Sequence, residues 1–375
     1  MKKIGLIINP FAGIGGRAGL KGSDGTEIQQ KALAEGFRSL APDRVFTALE
    51  WLGSIIAEKP VIVTYPAEMG EDIARKAGFD VEIIGNIDSG HTTAEDTIKA
   101  AQTMKDAGVD LIIFAGGDGT ARNIYTAVGL GMPVLGIPCG VKMHSACYAI
   151  NPRRAGDIAK AYLESANPIT TEGEVMDIDE EAFRKGDVQA RLYGYLTVPE
   201  AGVLMQKMKS GTGYNESGQL EELGFVFAQR MRKAPDTLFL VGPGSTTTHV
   251  MKSLELPYTL LGVDLVADGK VVAADVNEKQ IWDYMQQYEK FVMIITVIGG
   301  QGNLFGRGNQ QFSPRIIRKV GRKNIWVIAS KQKLVDLLPE PFLVDTGDPE
   351  LDKELCGYIK VTQSKDEDVA CKISM

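Results

Sequence analysis

The sequence predicts an α/β protein with two domains: a parallel, doubly wound sheet first, then a β-rich second domain. In the first 140 residues, short continuous apolar runs alternate with helical stretches, which is typical of repeated βα units around a buried parallel sheet. In the middle of the chain, β-branched and aromatic residues alternate and helical stretches are fewer. From Ser313 onward the βα alternation returns.

Five apolar runs are the predicted strands of the first domain. They are Lys3–Ile8, Val61–Tyr65, Val81–Ile84, Leu111–Ala115 and Val134–Ile137. Helices are predicted between them, among them 27–39 and 67–77. The next helix has a clear start, because Thr92 and Thr93 give an N-cap signal and acidic residues follow in the first turn.

The middle of the chain carries the predicted strands of the second domain. These are Arg191–Val198, Leu260–Val266, Val271–Val276 and Phe291–Ile298. Asp268-Gly269 between two of them predicts a hairpin turn. Segment 211–222, GTGYNESGQLEE, is predicted to be an exposed loop.

The tail adds a predicted strand at Ile325–Ala329 and a helix at Ser330–Leu338. We expect segment 313–375 to return to the first domain. The first domain then comprises 1–145 with 313–375, and the β-rich substrate domain comprises 146–312. Two chain crossings predict a cleft between the domains, and such clefts are preferred ligand sites.

Composition narrows the class of protein. The chain has 375 residues, 44% hydrophobic and 24% charged, which excludes a disordered or fibrous protein. The net charge of −7 argues against nucleic acid as a partner and against an anionic membrane surface. The four cysteines form no CxxC pair, which indicates a reducing cytoplasm and no structural zinc. No apolar run approaches the length of a membrane span.

The sharpest motif is LIIFAGGDGT, residues 111–120, where a strand meets a glycine turn and a helix start. Gly116 and Gly117 let the backbone approach a phosphate, and the helix start favours an anion. Asp118 does not itself bind phosphate, so it holds Mg²⁺ or accepts a proton from an attacking hydroxyl. The alternative is a plain strand–turn–helix that Asp118 caps.

A second strand–turn–helix follows at LFLVGPGSTTTH, residues 238–249. One hydroxyl suffices for an N-cap, and here there are four in succession. We expect some of them to contact a ligand, with capping and solvation as the alternative. The residues singled out here are Gly244, Ser245, Thr246, Thr247 and His249.

Several other polar residues have both a functional and a structural interpretation. Lys142 and His144 lie at a predicted helix start, where a lysine either holds a phosphate or is solvated. Arg307 and Asn309 lie in a glycine-rich segment, which fits either anion recognition or a structured crossover. Cys139 and Cys147 are interpreted as core residues.

These motifs resemble the NAD kinase and diacylglycerol kinase superfamily. The GGDGT turn, the downstream PGSTTT and the opening Asn9-Pro10 carry the likeness. Over nearly the whole chain the sequence resembles the ATP-NAD kinase branch related to the acetoin-catabolism X proteins. The segments that resemble this branch are GLKGSDG (19–25), GVKMHSACYA (140–149), MDIDEEAFR (176–184), LYGYLTVP (192–199), IGGQGNLFGRGNQQ (298–311) and VDTGD (344–348).

The resemblance implies a phosphofructokinase- or NAD-kinase-like α/β domain and specific roles for residues. It implies that Asp118 activates the acceptor hydroxyl, and that Ser245 and Thr246 contact nucleotide. Where NAD kinases carry an Asn-Glu/Asp pair, this chain offers Asp177 or Asp179. The residues that would cradle ATP phosphates are Asn9, Gly116, Gly117, Gly119, Thr120 and Lys142.

The sequence therefore predicts an ATP- and Mg²⁺-dependent kinase that phosphorylates a hydroxyl of a small molecule, with the 2′-hydroxyl of NAD as the leading acceptor. One alternative is a kinase for another small anionic or lipid alcohol. Another is a nucleotide-sensing protein without turnover. A homo-oligomer is compatible with the resemblance, and the sequence does not identify a metal ligand set.

Overall fold

The computed structural model describes residues 2–20, 26–140, 143–178, 190–205 and 217–375. The chain forms two compact units. The first comprises Met1–Gly15 and Gly22–Met208, and the second comprises Gly16–Lys21 and Lys209–Met375.

The first unit is built around a five-stranded parallel sheet with the strand order β3-β2-β1-β4-β5. Its strands are β1 (Lys3–Ile8), β2 (Val61–Thr64), β3 (Val81–Ile83), β4 (Leu111–Gly116) and β5 (Val134–Pro138). All residues of β4 and β5 are buried, as continuous apolar runs require. The strand order reverses between β1 and β4, and ligands of such sheets bind at this switch point. The predicted doubly wound sheet is confirmed.

Helices connect these strands or follow the last of them. They are α1 (Ile14–Arg17), α2 (Thr26–Ala34), α3 (Ala41–Ile55), α4 (Glu71–Lys76), α5 (Ala94–Asp106), α6 (Asp118–Val128) and α7 (Pro152–Glu164). The predicted start of α5 is confirmed, because Thr93 and Asp96 form a capping box. Helices α3 and α7 were not predicted from the sequence. For α7 the signal was local, since Asn151 caps the helix and Pro152 occupies its first turn.

An antiparallel ribbon of β6 (Thr170–Ile178) and β7 (Ala190–Pro199) completes the first unit. The predicted strand at 191–198 is therefore confirmed, but it lies in the first unit and not in a domain spanning 146–312. The ribbon belongs to the first unit because its apolar face packs into the core of that unit. Val175, Leu196 and Val198 are buried in a core cluster that also contains Ile124 of α6.

The second unit contains a nine-stranded mixed sheet in the order β10-β9-β8-β11-β13-β15-β16-β14-β12. Its strands are β8 (Thr237–Val241), β9 (Asp264–Ala267), β10 (Lys270–Ala273), β11 (Lys290–Ile295), β12 (Asn303–Phe305), β13 (Ile325–Ile328), β14 (Phe342–Val344), β15 (Gly357–Thr362) and β16 (Asp368–Ser374). The predicted hairpin is the antiparallel pair β9–β10.

Segment 313–375 does not return to the first unit, so this part of the prediction needs correction. Strand β13 pairs in parallel with β11, with Met293 opposite Ile325. Their side chains share one core cluster with Phe342 and Val361 from the same tail. The tail therefore continues the second sheet, because its apolar strands find their hydrogen-bonding partners there.

The helices of the second unit are α8 (Ser217–Arg232), α9 (Ser245–Ser253), α10 (Glu278–Met285), α11 (Pro314–Val320), α12 (Lys331–Leu337) and α13 (Pro349–Leu355). Residues 217–222 were predicted as a loop but form the start of α8, whose Leu220, Leu223 and Phe227 are buried at helical spacing. Residues 211–216 lie outside the described residues. Within the described chain, no helix is long and apolar enough to cross a membrane.

Candidate active site

Asp118 lies at the end of the sheet where the strand order reverses. Strand β4 ends at Gly116, Gly117 is the N-cap residue, and Asp118 is the first residue of α6. Its Oδ2 accepts a hydrogen bond from the backbone N–H of His144 at 2.8 Å, and its Oδ1 accepts one from that of Ser145 at 3.0 Å. Gly117 is the N-cap, so Asp118 does not serve as the helix cap. Its carboxylate is held instead by residues 144–145, a distant segment of the chain.

The turn after β4 lies directly against the turn after β5. The carbonyl of Gly116 accepts the backbone N–H groups of Cys139 at 2.9 Å and Gly140 at 3.1 Å. A Cβ atom on Gly140 would lie 2.8 Å from the Cα of Gly117. The hydroxyl of Tyr148 donates to the carbonyl of Gly117 at 2.6 Å. This close backbone approach requires glycine and brings the segment 144–145 to Asp118.

A third turn, after β1, reaches the same place through Asn9. Its Nδ2 donates to Thr120 Oγ1 at 3.0 Å, and its Oδ1 accepts the N–H of Phe11 at 3.1 Å. Thr120 is buried in the first turn of α6. The structure thus brings together the predicted residues Asn9, Gly116, Gly117, Asp118, Gly119 and Thr120. The Asn9–Thr120 bond fixes the start of α6.

His144 lies beside Asp118 in irregular backbone, so the predicted helix start is absent at residues 143–145. Its Nδ1 is 3.5 Å from Asp118 Oδ2, and its side chain is 6% exposed. Among the described residues, neither ring nitrogen has a hydrogen-bond partner. Lys142 lies outside the described residues.

The predicted core cysteines Cys139 and Cys147 are buried. Burial raises the pKa of the Cys147 thiol, and the nearby charge of Asp118 raises it further. The thiol is therefore neutral at physiological pH.

Strand β6 borders the site. The backbone N–H of Met176 donates to Ser145 Oγ at 3.0 Å, and Asp177 is the next residue of the strand, opposite Arg191 in the register. Asp179 lies outside the described residues.

In the second unit, the turn between β8 and α9 has the predicted strand–turn–helix form. Gly244 is the N-cap with φ +133°, a conformation that favours glycine. Thr247 Oγ1 donates to the carbonyl of Gly244 at 2.8 Å, and Thr248 Oγ1 donates to that of Ser245 at 2.7 Å. Two of the four hydroxyls therefore bond to their own backbone.

Lys333 is a residue that the sequence analysis missed. From α12, its Nζ donates to Thr246 Oγ1 at 2.8 Å and to Thr296 Oγ1 at 3.3 Å. A cation thus lies at the start of α9, where the helix dipole also favours an anion. No local sequence signal marks Lys333, because the contact joins residues far apart in the chain.

The remaining predicted residues lie elsewhere in the second unit. His249 is in α9, where burial and the charge of Lys252 lower its pKa. Arg307 and Asn309 are buried. Asn309 Nδ2 donates to the carbonyl of Leu304 at 2.9 Å and its Oδ1 accepts the N–H of Gly306 at 3.2 Å. These bonds make Asn309 part of a structured loop.

Over the described residues, no group of three or more His, Cys, Asp or Glu side chains is arranged to hold a metal ion. Magnesium in phosphoryl-transfer sites is bound by one or two carboxylates together with substrate phosphates. The donor set at Asp118 fits an ion that arrives with a nucleotide better than a resident one.

The chain is a phosphotransferase that acts on a hydroxyl group, and this class follows from two family models. The ATP-NAD kinase N-terminal domain matches residues 4–166, and the ATP-NAD kinase C-terminal domain matches residues 236–373. The chain therefore belongs to the ATP-NAD kinase family, which uses ATP. The predicted membership of the NAD kinase family is confirmed, and the resemblance to the branch related to the acetoin-catabolism X proteins stays a prediction.

Similarity to solved structures is low. A putative diacylglycerol kinase from Bacillus anthracis str. Sterne is 20% identical over 31% of this chain and 45% of that chain, with a TM-score of 0.21. The S. aureus MnaA–UDP co-structure is 9% identical over 88% of this chain and 80% of that chain, with a TM-score of 0.26. A UDP-N-acetylglucosamine 2-epimerase is 10% identical over 93% and 84%, also at 0.26. No curated protein matches the chain.

Proposed function

We propose that this protein transfers the γ-phosphoryl group of ATP to the 2′-hydroxyl of NAD, and that Asp118 accepts the proton of that hydroxyl. The observation that carries this proposal is the Asp118 carboxylate itself, which two backbone N–H groups hold at the carboxyl end of β4. Phosphoryl transfer depends mainly on positioning and charge stabilisation. A carboxylate fixed at a glycine turn supplies the positioning.

The first unit offers both a base and an anion site. Each Asp118 oxygen accepts one backbone bond and keeps a further acceptor position for a hydroxyl. As the acceptor O–H bond breaks, the proton passes to Asp118, the oxygen bonds to the γ-phosphorus, and ADP leaves with the electrons of the broken P–O bond. The start of α6 and the glycines at 116, 117 and 119 favour the phosphate groups.

Magnesium and ATP complete the proposed chemistry. When bound, magnesium would neutralise the charge that develops on the phosphate groups. In this proposal it enters with ATP. The protein's own part is to hold the phosphates at the turns after β1 and β4 and to orient Asp118.

In the second unit, we propose Ser245, Thr246 and Lys333 as nucleotide contacts. Replacing Lys333 with Met keeps the length of the side chain and removes its charge. The KM for ATP or NAD is expected to rise by about tenfold or more, the equivalent of one charge-assisted hydrogen bond. Initial-rate kinetics at varied ATP and varied NAD will show which substrate Lys333 serves.

Lys331→Met is the matched control for Lys333→Met. Lys331 belongs to the same helix and is exposed, so its substitution is expected to leave both KM values unchanged. Unchanged KM values in Lys333→Met would assign Lys333 a purely structural role.

The proposed function is tested by incubating the purified protein with ATP, Mg²⁺ and a panel of hydroxyl compounds that includes NAD. Appearance of NADP, abolished by EDTA, supports the proposal. If another small anionic or lipid alcohol is phosphorylated and NAD is not, the protein is a kinase with a different acceptor. Nucleotide binding without turnover of any panel member favours a sensor.

A further inference from the structure

His144 presents an unusual combination of burial and missing partners. Its ring is 6% exposed and lies 3.5 Å, Nδ1 to Oδ2, from Asp118. Within the described part of the chain, neither ring nitrogen makes a hydrogen bond. A buried polar group without a partner costs free energy, and such a group in a native protein calls for an explanation such as a role in catalysis.

The chain around His144 explains why the ring lies so close to Asp118. The backbone N–H of His144 donates to Asp118 Oδ2, the oxygen that the ring also approaches. The neighbouring Ser145 N–H holds the other oxygen, and Ser145 Oγ is tied to β6 through Met176. The backbone that carries the ring is therefore held by the same contacts that hold the carboxylate.

We infer that His144 is the positioning residue of Asp118, and that its Nδ1–H donates to Asp118 Oδ2 in the working enzyme. With the two backbone donors, this bond fixes the carboxylate and leaves an outer acceptor position directed to the substrate hydroxyl. Hydrogen bonds at catalytic sites are often long before substrate binds and tighten in the reactive complex, which fits the 3.5 Å separation. The inference rests on the proposed function, because Asp118 is the reacting group there.

If His144 served only to fill space in the core, an apolar residue would be expected at this position. A leucine would fill a buried space of similar size without leaving two polar nitrogens unpaired. The imidazole provides what leucine lacks, a directional donor to a carboxylate. Hydrogen bonds to charged groups are the stronger kind, so this one bond offsets much of the cost of burying the ring.

A spectroscopic test needs no acceptor. The chain has three histidines, so ¹⁵N-histidine labelling gives few imidazole signals, and His91→Asn and His249→Asn assign two of them. We expect His144 to carry its proton on Nδ1 when neutral, and Asp118→Asn to shift its signals while those of His91 stay unchanged. A neutral His144 protonated on Nε2 only, or signals insensitive to Asp118→Asn, would overturn the inference.

A kinetic test uses two variants that differ in one donor. His144→Leu removes the donor, so kcat is expected to fall about tenfold to a hundredfold with little change in KM. His144→Asn places an amide N–H near the position of Nδ1 and is expected to recover kcat to within about threefold of wild type. Thermal unfolding of both variants identifies a folding defect, and the exposed His91→Asn serves as control.

The outcomes separate the inference from the proposed function. Equal kcat in wild type and folded His144→Leu overturns the inference while the kinase stands. If no panel compound is phosphorylated, the tautomer and the response to Asp118→Asn alone decide whether the pair exists. If His144→Leu fails to fold, His144→Asn and the spectra carry the test, and a His144→Asn protein as slow as Asp118→Asn counts against a positioning role.

Discussion

Replacing Asp118 with Asn is expected to lower kcat for NAD phosphorylation by about a hundredfold to ten-thousandfold, the usual contribution of general acid–base catalysis. The amide keeps the size of the carboxylate and loses its capacity to accept the hydroxyl proton. It also turns an NH₂ group toward one of the two backbone N–H donors, at His144 or Ser145. The proposed reacting group is thus removed and its anchoring is disturbed by a change of a single atom.

The measurement is steady-state NADP formation together with ATP binding. ATP affinity is expected to remain within a few-fold of wild type, because Asp118 is proposed to act on the acceptor. Asp106→Asn, an exposed position at the end of α5, is the matched control and should have wild-type kcat. A kcat in Asp118→Asn within twofold of wild type would remove Asp118 from the proposed chemistry.

The strand–turn–helix segments of this site could be predicted from the sequence, because the residues that determine them are neighbours in the chain. A continuous apolar run followed by Gly-Gly-Asp-Gly predicts a buried strand, a turn and a helix start, and residues 111–128 have that form. The turn at 241–245 was predictable for the same reason. Helix caps could also be predicted from the sequence. Thr93 predicted the start of α5, and Asn151 would have predicted the start of α7.

What holds Asp118 could not be predicted, because the partners are set by the tertiary fold. The N–H groups of His144 and Ser145 reach it only when β5 lies beside β4. Lys333 reaches Thr246 across 87 residues of sequence. Sequence periodicity identifies the strands and helices near these residues. It does not show which of these elements lie next to each other in the fold.

The tail shows the same limit at the level of domains. Alternating β and α signals after Ser313 correctly predict strands and helices, for example β13 and α12. They do not say which sheet the strands join. The choice depends on which free edge offers a matching register, and β11 offers it to β13.

Replacing Gly140 with Ala tests whether the contact between the two glycine turns positions Asp118. The added Cβ would lie 2.8 Å from Gly117 Cα and 3.0 Å from Met143 Cγ. The first contact is with backbone, which has no rotamer to adopt, so one of the two turns must move. The bonds from Cys139 and Gly140 to the Gly116 carbonyl must then lengthen, and the donors at 144–145 move relative to the carboxylate.

We expect Gly140→Ala to lower kcat about a hundredfold, since a displacement of about 1 Å in a catalytic site has that effect. Unfolding by denaturant should show a loss of about 1–3 kcal/mol, as for overpacking elsewhere. Gly117→Ala should have a smaller effect on both, because its Cβ would lie 3.2 Å from Gly140 Cα, a contact that a small shift relieves.

Gly218→Ala is the matched control for both glycine variants, because its Cβ would meet nothing within 4 Å on α8. It is expected to keep wild-type kcat and to leave stability unchanged or raised by up to about 1 kcal/mol. We expect kcat to fall most in Gly140→Ala, less in Gly117→Ala and not at all in Gly218→Ala. If Gly140→Ala matches Gly218→Ala in rate and stability, the turns yield freely and the Gly117–Gly140 approach is not what positions Asp118.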